Sequence, residues 1–170
     1  MSKVTLTEVM GVNDPMLNDN FELTFTKVPG GSAADGRQLR LQCRSGVKPG
    51  MSITEVEIEL FGHKVKHAAR KVFSGSMSVG FVESHEGRIT TVLENWAESI
   101  RGTDTQSGTF KKDYATIATL NIFDQTGAVS LTYRIFNVWP TQVPDYSFDG
   151  AGGSVIQVDV EFAYDYYERA

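Results

Sequence analysis

Cysteine is nearly absent. A single one in 170 residues excludes a disulfide framework and a cysteine zinc site. It falls in the alternating run Leu39-Arg40-Leu41-Gln42-Cys43, on the same face as the leucines. No histidine lies near it in sequence, so a small core residue fits better than a catalytic thiolate. Long apolar runs are missing too, and nothing approaches the roughly twenty residues that cross a bilayer. The N-terminus lacks the charged-then-apolar order of a signal peptide. That predicts a protein made and kept in a cytosol, or exported without a signal, with no membrane insertion. Positive charge is scarce. Sixteen Lys and Arg stand against twenty-one Asp and Glu, a net charge of -5. A nucleic-acid-gripping protein needs clustered Lys and Arg, so that class is disfavoured.

No constellation that would carry catalysis is visible, and no enzyme, cofactor or metal is expected. His63 and His67 are four apart, which in a strand separates them by about 13 Å, too far to share a zinc ion. His85 stands alone. The segment Gly75-Ser76-Met77-Ser78-Val79-Gly80 has the wrong spacing for a nucleophile elbow. Gly150-Ala151-Gly152-Gly153 leads into a strand and carries no lysine, unlike a phosphate loop. The row Glu55, Glu57, Glu59 faces lysines and reads as a solvated, salt-paired face.

Strand alternation is abundant. Residues 21–28 place Phe21, Leu23 and Phe25 on one face, and residues 38–44 repeat the pattern. Residues 53–60 and 63–69 read as a hairpin around Phe61-Gly62. That register sets Glu59 opposite Lys64, Ile58 opposite Val65 and Glu57 opposite Lys66. Phe61 is a poor fit to such a turn, which favours a positive φ. Two strands alone are marginal in water, so the hairpin leans on its own barrel or on a neighbouring subunit. Residues 71–83 read as one strand, with Phe73, Met77, Val79 and Phe81 against Ser74, Ser76, Ser78 and Gly80.

Residues 88–101 carry Ile89, Val92, Leu93, Trp96, Ala97 and Ile100 at helical spacing, with Ser84 as a cap and Gly102 as a terminator. Trp96 is read as core. Residues 115–123 and 128–136 form a second hairpin, with Gly127 closing the turn. Residues 139–153 read as loop, and 154–167 as a last strand with Ile156, Val158, Val160, Phe162 and Tyr164 inward and Gln157, Asp159, Glu161 and Asp165 outward. The expected fold is mainly β, a single domain over residues 1–170. It is an antiparallel barrel or sandwich of about seven or eight strands, with one flanking α-helix and a long protruding hairpin.

Four segments, taken together, resemble one family. They are residues 41–50 (LQCRSGVKPG), Phe81-Val82-Glu83 followed by Val92-Leu93-Glu94-Asn95-Trp96, residues 133–140 (YRIFNVWP), and Val160-Glu161-Phe162-Ala163-Tyr164-Asp165-Tyr166. The order of elements over residues 20–168 is similar to that of tail tube proteins of contractile-tailed bacteriophages. The last segment is the most specific of the four.

The resemblance implies a virion protein, made in the host cytoplasm, that forms hexameric rings stacked into a tube. Its implied partners are itself, the tail sheath, baseplate and terminator proteins, a tape measure protein inside the lumen, and DNA only in transit. Tailocin and type VI secretion tubes are alternatives within the same architecture. A lipocalin-like ligand-binding barrel is a more distant one. Six copies at -5 each carry -30, which suits a conduit that must not bind DNA. The lumen candidates are Ser74, Ser76 and Ser78, with Asp159 and Glu161 as an acidic alternative. The inter-ring candidates are Glu55, Glu57, Glu59, Lys64 and Lys66 of the hairpin.

Overall fold

The computed structural model describes residues 3–170. Its elements in order are α1 (Leu6–Met10), β1 (Phe21–Phe25), α2 (Ala33–Gln42), β2 (Cys43–Gly46), β3 (Met51–Leu60), β4 (His63–Phe73), β5 (Ser76–Val82), α3 (Arg88–Ile100), α4 (Lys111–Tyr114), β6 (Thr116–Phe123), β7 (Val129–Gln142), β8 (Gln157–Ala163) and β9 (Tyr166–Arg169). Two antiparallel half-sheets share β7. One runs β1-β6-β7-β9 and the other β7-β8-β5-β2. Among the described residues no ladder joins β1 to β2, so of the expected barrel or sandwich the closed barrel is not formed. The β3–β4 hairpin is a separate two-stranded sheet.

Between the half-sheets lies an aromatic core. Trp96 of α3 meets Phe25 edge-on at 5.7 Å and Phe162 at 5.9 Å, and Phe25 meets Phe162 at 5.4 Å. Trp96 is fully buried, and its indole N–H donates to the Tyr114 carbonyl at 2.8 Å. Aromatic pairs at such distances add to the burial of their area. Ile89, Val92 and Leu93 complete the buried stripe expected of α3.

The helix start differs from the expected cap. Gly87, at φ 66°, is the N-cap and has no side chain to offer. Ser84 Oγ accepts only from the Arg88 N–H, at 3.2 Å. Glu83 does the main capping: its carboxylate accepts from the N–H groups of Ile89 at 2.9 Å and Thr90 at 2.8 Å, and from the Thr90 hydroxyl. At the other end Arg101 is the C-cap in extended conformation, ahead of Gly102.

Further expectations are corrected. Residues 38–44 are not one strand. Residues 38–42 end a helix, α2, and 43–44 open β2; the helix begins where the Asp35 carboxylate accepts from the Ser32 N–H at 2.6 Å and the Ser32 hydroxyl at 2.8 Å. Leu39 is buried there and Leu41 exposed, which period two does not allow. Arg40 pairs with Glu22 at 2.6 Å and fastens α2 to β1. Gly30 (φ 75°) is needed at the turn between β1 and α2, because a Cβ there would meet the Asn95 carbonyl oxygen at 2.8 Å. Among the described residues there are thus four helices where one was expected, and nine strands where seven or eight were.

Residues 71–83 are two strands split at Ser74 and Gly75, where Gly75 has φ 77°. Residues 139–142, expected in a loop, continue β7; Pro140 is tolerated because this part of β7 is an edge. The closing strand is also two, β8 and β9, broken at Tyr164 and Asp165.

That last break is a corner. Trp139 pairs with Ala163 before it and Phe136 with Tyr166 after it, so β7 and the β8–β9 run keep one register. Asn137 and Asp165 lie opposite each other at the bend. Asn137 adopts φ 58°, and its side-chain amide donates to Asp165 Oδ2 at 2.6 Å. The Asp165 N–H donates to the Phe136 carbonyl at 3.1 Å, and Lys111 Nζ of α4 reaches both carboxylate oxygens at 2.7 and 2.6 Å. The hydrogen bonds from Lys111 and then Asn137 hold the Asp165 carboxyl below its usual range.

Two stability predictions follow from these contacts. Burial pushes the Glu83 carboxyl upward, but the bonds from Thr90, Ile89 and Ser84 outweigh it and hold it below the usual value. A depressed folded value contributes stability that is complete above the unfolded carboxylate range near pH 4.3 and is lost as pH falls through the folded value. Glu83→Ala is expected to cost about 1 kcal/mol at pH 7 and to flatten this acid limb, measured by urea unfolding across pH 3–7. At the corner, Asn137→Gly loses only the bond to Asp165, about 1 kcal/mol. Asn137→Ala loses the same bond and adds about 1 kcal/mol for the left-handed backbone. Thermal melts should rank Asn above Gly above Ala, and the reverse order of Gly and Ala would contradict the corner geometry.

Candidate assembly and channel surfaces

The half-sheet β7-β8-β5-β2 has two unlike faces. Inward, Met77, Val79 and Phe81 of β5 pair with Phe162, Val160 and Val158 of β8, and all six are buried. Outward, Ser76 and Ser78 lie beside Asp159 and Glu161, and all four are exposed. Ser78 stands directly opposite Glu161. Gly80 stands opposite Asp159, and a Cβ on it would collide with Ser45 Oγ and come within 2.7 Å of Asp159 Oδ1. The missing side chain therefore lets two polar groups close over the strand. Thr141 at the edge donates to the Glu161 carbonyl at 2.9 Å. The face is small, polar and acidic.

Four of the five lumen candidates thus share one surface. Ser74 does not belong to it. Past the break at Gly75 its hydroxyl bonds the Tyr164 hydroxyl at 2.6 Å, and its N–H donates to the Gly50 carbonyl at 3.1 Å. It braces the base of the hairpin.

The hairpin has the predicted register. Glu59 pairs with Lys64, Ile58 with Val65 and Glu57 with Lys66. Its ladder is longer than expected, from the pair Met51 and Phe73 to the pair Leu60 and His63. The turn has positive φ at both central residues, 50° at Phe61 and 77° at Gly62. The ion pairs run diagonally, Lys64 to Glu57 at 3.0 Å and Lys66 to Glu55 at 2.6 Å, not straight across. All five inter-ring candidates share this charged face. The other face carries Val56, Ile58 and Leu60 with His63, Val65 and His67. Every residue from 51 to 72 is exposed, so the ribbon does not lean on its own core. Only its base is tied in, where Phe73 meets Tyr167 at 5.3 Å and Tyr166 at 6.4 Å.

Other candidate chemistry stays dispersed. Burial pushes the Cys43 thiol up to about 11, the behaviour of an unreactive side chain. Among the described residues no group of three or more His, Cys, Asp or Glu could hold a metal ion. Among the described residues no helix is long and apolar enough to cross a membrane. The space where a lipocalin-like barrel would hold its ligand is occupied by Trp96, Phe25 and Phe162. The corner pair Asn137 and Asp165 was not singled out from sequence, although both residues lie inside the segments that carry the family resemblance.

No curated relative matches the sequence. Among solved structures, the chain is similar to a sheath/tube terminator of an extracellular contractile injection system, with a TM-score of 0.69 at 15% identity over 94% of this chain and 99% of that one. A sheath-tube complex of the same kind of system gives 0.63 at 14% identity, over 98% and 99%. A chain of the anti-feeding prophage tube-terminating cap gives 0.66 at 11%, over 94% and 93%. At these identities the likeness shows the fold. The family model described as phage tail tube protein matches residues 10–170, nearly the whole sequence, and the chain belongs to that family.

Proposed function

We propose that the chain is the structural subunit of a tail tube, assembling as hexameric rings that stack into a hollow conduit for the phage genome. The observation that carries the assembly is the β3–β4 ribbon, exposed on both faces from residue 51 to residue 72. A two-stranded ribbon is marginal on its own. A neighbouring ring would supply what the subunit does not, and Glu55, Glu57, Glu59, Lys64 and Lys66 are the charged contacts offered to it.

The channel wall is assigned to the outward face of the half-sheet β7-β8-β5-β2, with Ser76, Ser78, Asp159 and Glu161 lining it. An acidic and hydroxyl surface offers phosphate no cation and leaves DNA unbound in transit. The open edges at β2 and at the end of β7 would pair between neighbours around the ring, which also protects them from stray pairing. The exposed side of α3 would then face a sheath. Baseplate and terminator proteins would cap the ends, a tape measure protein would occupy the lumen before DNA, and the product is a virion component made in the host cytoplasm. Tubes of a tailocin or a secretion system are the second reading, favoured by the likeness to injection-system structures. A capsid gene beside sheath and tape-measure genes would decide for a phage.

Electron microscopy of concentrated protein is expected to show six-fold rings or hollow tubes. Replacing residues 53–69 by a short turn should abolish tubes and leave a folded subunit; tubes from that variant would remove the hairpin from the contact. Ser78→Lys with Glu161→Lys should line the channel with cations and slow DNA ejection at least tenfold in a dye-release assay. Unchanged ejection would overturn the lumen assignment.

A further inference from the structure

Phe61 is the most conspicuous residue that neither the core nor the channel uses. It sits at the hairpin tip, is 100% exposed, and adopts φ 50°. The left-handed backbone is unfavourable for an aromatic residue, and Asn or Asp fits the first position of such a turn far better. The subunit gains nothing visible in return. The other exposed phenylalanines have neighbours: Phe110 lies near Lys112 Nζ at 5.8 Å, and Phe148 meets Tyr146 at 5.4 Å. A strained backbone holding an unburied ring is what a binding anchor looks like before its partner arrives.

We infer that Phe61 is the anchor of the ring-to-ring contact and seats in an apolar cavity of a second copy of this chain. The inference rests on the tube reading above. The cavity measures about 280 Å³; its apolar wall is Met16, Leu17, Phe21, Leu120 and Ile122, and Asn18 and Asn20 stand at it as polar neighbours. Met16 and Leu17 are half exposed there. It also touches Gly46 and Lys48, which lead into the base of the hairpin. A ten-residue strand extends about 33 Å. A copy displaced along the hairpin by about that length brings its own hairpin base, and the cavity beside it, to the tip of the first. Knob and cavity are different surfaces of one molecule, so the contact is head-to-tail and repeats without closing.

Two measurements test this. Phe61→Asn restores a favoured turn residue, so the subunit should melt at the same temperature or higher. Its critical concentration for tube formation should rise at least tenfold, read by sedimentation. Wild-type assembly by this variant would overturn the anchor, whereas failure of the wild-type chain itself to form tubes would overturn the tube reading and the anchor with it. Second, p-benzoylphenylalanine at position 61 keeps a ring at the tip. After irradiation of tubes mixed from isotopically light and heavy chains, mass spectrometry should place cross-links between copies at residues 16–21. Cross-links confined to other segments would overturn the cavity assignment.

Discussion

The fold depends on one bend. β7 is fourteen residues long and belongs to both half-sheets. It can do so because Asn137 turns left-handed at its middle and Asp165 answers from the opposite strand. The side-chain amide of Asn137, the N–H of Asp165 and the ammonium of Lys111 converge there, within 2.6 to 3.1 Å of their acceptors. Since the register of the pair is the same on both sides, the bend interrupts the pairing of β7 without shifting it. The direction of that fold decides which side chains are covered. It encloses Phe25, Trp96 and Phe162, and it leaves the row of Ser76, Ser78, Asp159 and Glu161 uncovered.

Much of this was legible because strand chemistry is local. Residues 157–163 alternate so regularly that their inward and outward sets match the burial pattern residue by residue. The β3–β4 register could be read from opposed charges alone. What escaped was governed by single residues acting across the chain. Leu39, Leu41 and Cys43 fit period two as well as a helix end, and only the Ser32 and Asp35 pair separates the two readings. Gly75 breaks what looked like one strand, and with it Ser74 moves from the polar row to the hairpin base. Asp165 read as one more outward acid at the end of a strand. Its partner lies 28 residues away, and no local pattern announces such a pairing.

The hairpin presents a different balance. Its ion pairs are internal, and exposed pairs of this kind contribute only tenths of a kcal/mol. They do keep the ribbon close to neutral, so that it can approach another copy of an acidic protein without a charge penalty. The acids left unpaired on the outward face, Asp159 and Glu161, are interspersed with serines and a glycine. Beyond roughly 8 Å their mutual repulsion is screened at physiological salt. A net charge of -5 is therefore compatible with self-association, provided the acids that meet across an interface carry their own counter-ions.

Stability and assembly are in tension in such a subunit. The core is complete without partners: Leu39, Ile89, Leu93, Trp96, Ile135, Val160 and Phe162 are all fully buried. The ribbon is the opposite, with Ile53, Val56, Ile58, Leu60 and Val65 all more than 40% exposed. A ribbon folded back onto the core would bury these side chains and would no longer be free for the contact proposed above. Bracing is therefore confined to the base, where Ser74 and the carbonyl of Gly50 meet Tyr164, and where Phe73 meets Tyr167. Tyr164 and Tyr167 flank Asp165, so the corner that bends the sheet also carries the braces of the ribbon. The direction in which the ribbon leaves the core is thus set by the same few residues that decide which face of the sheet is left open.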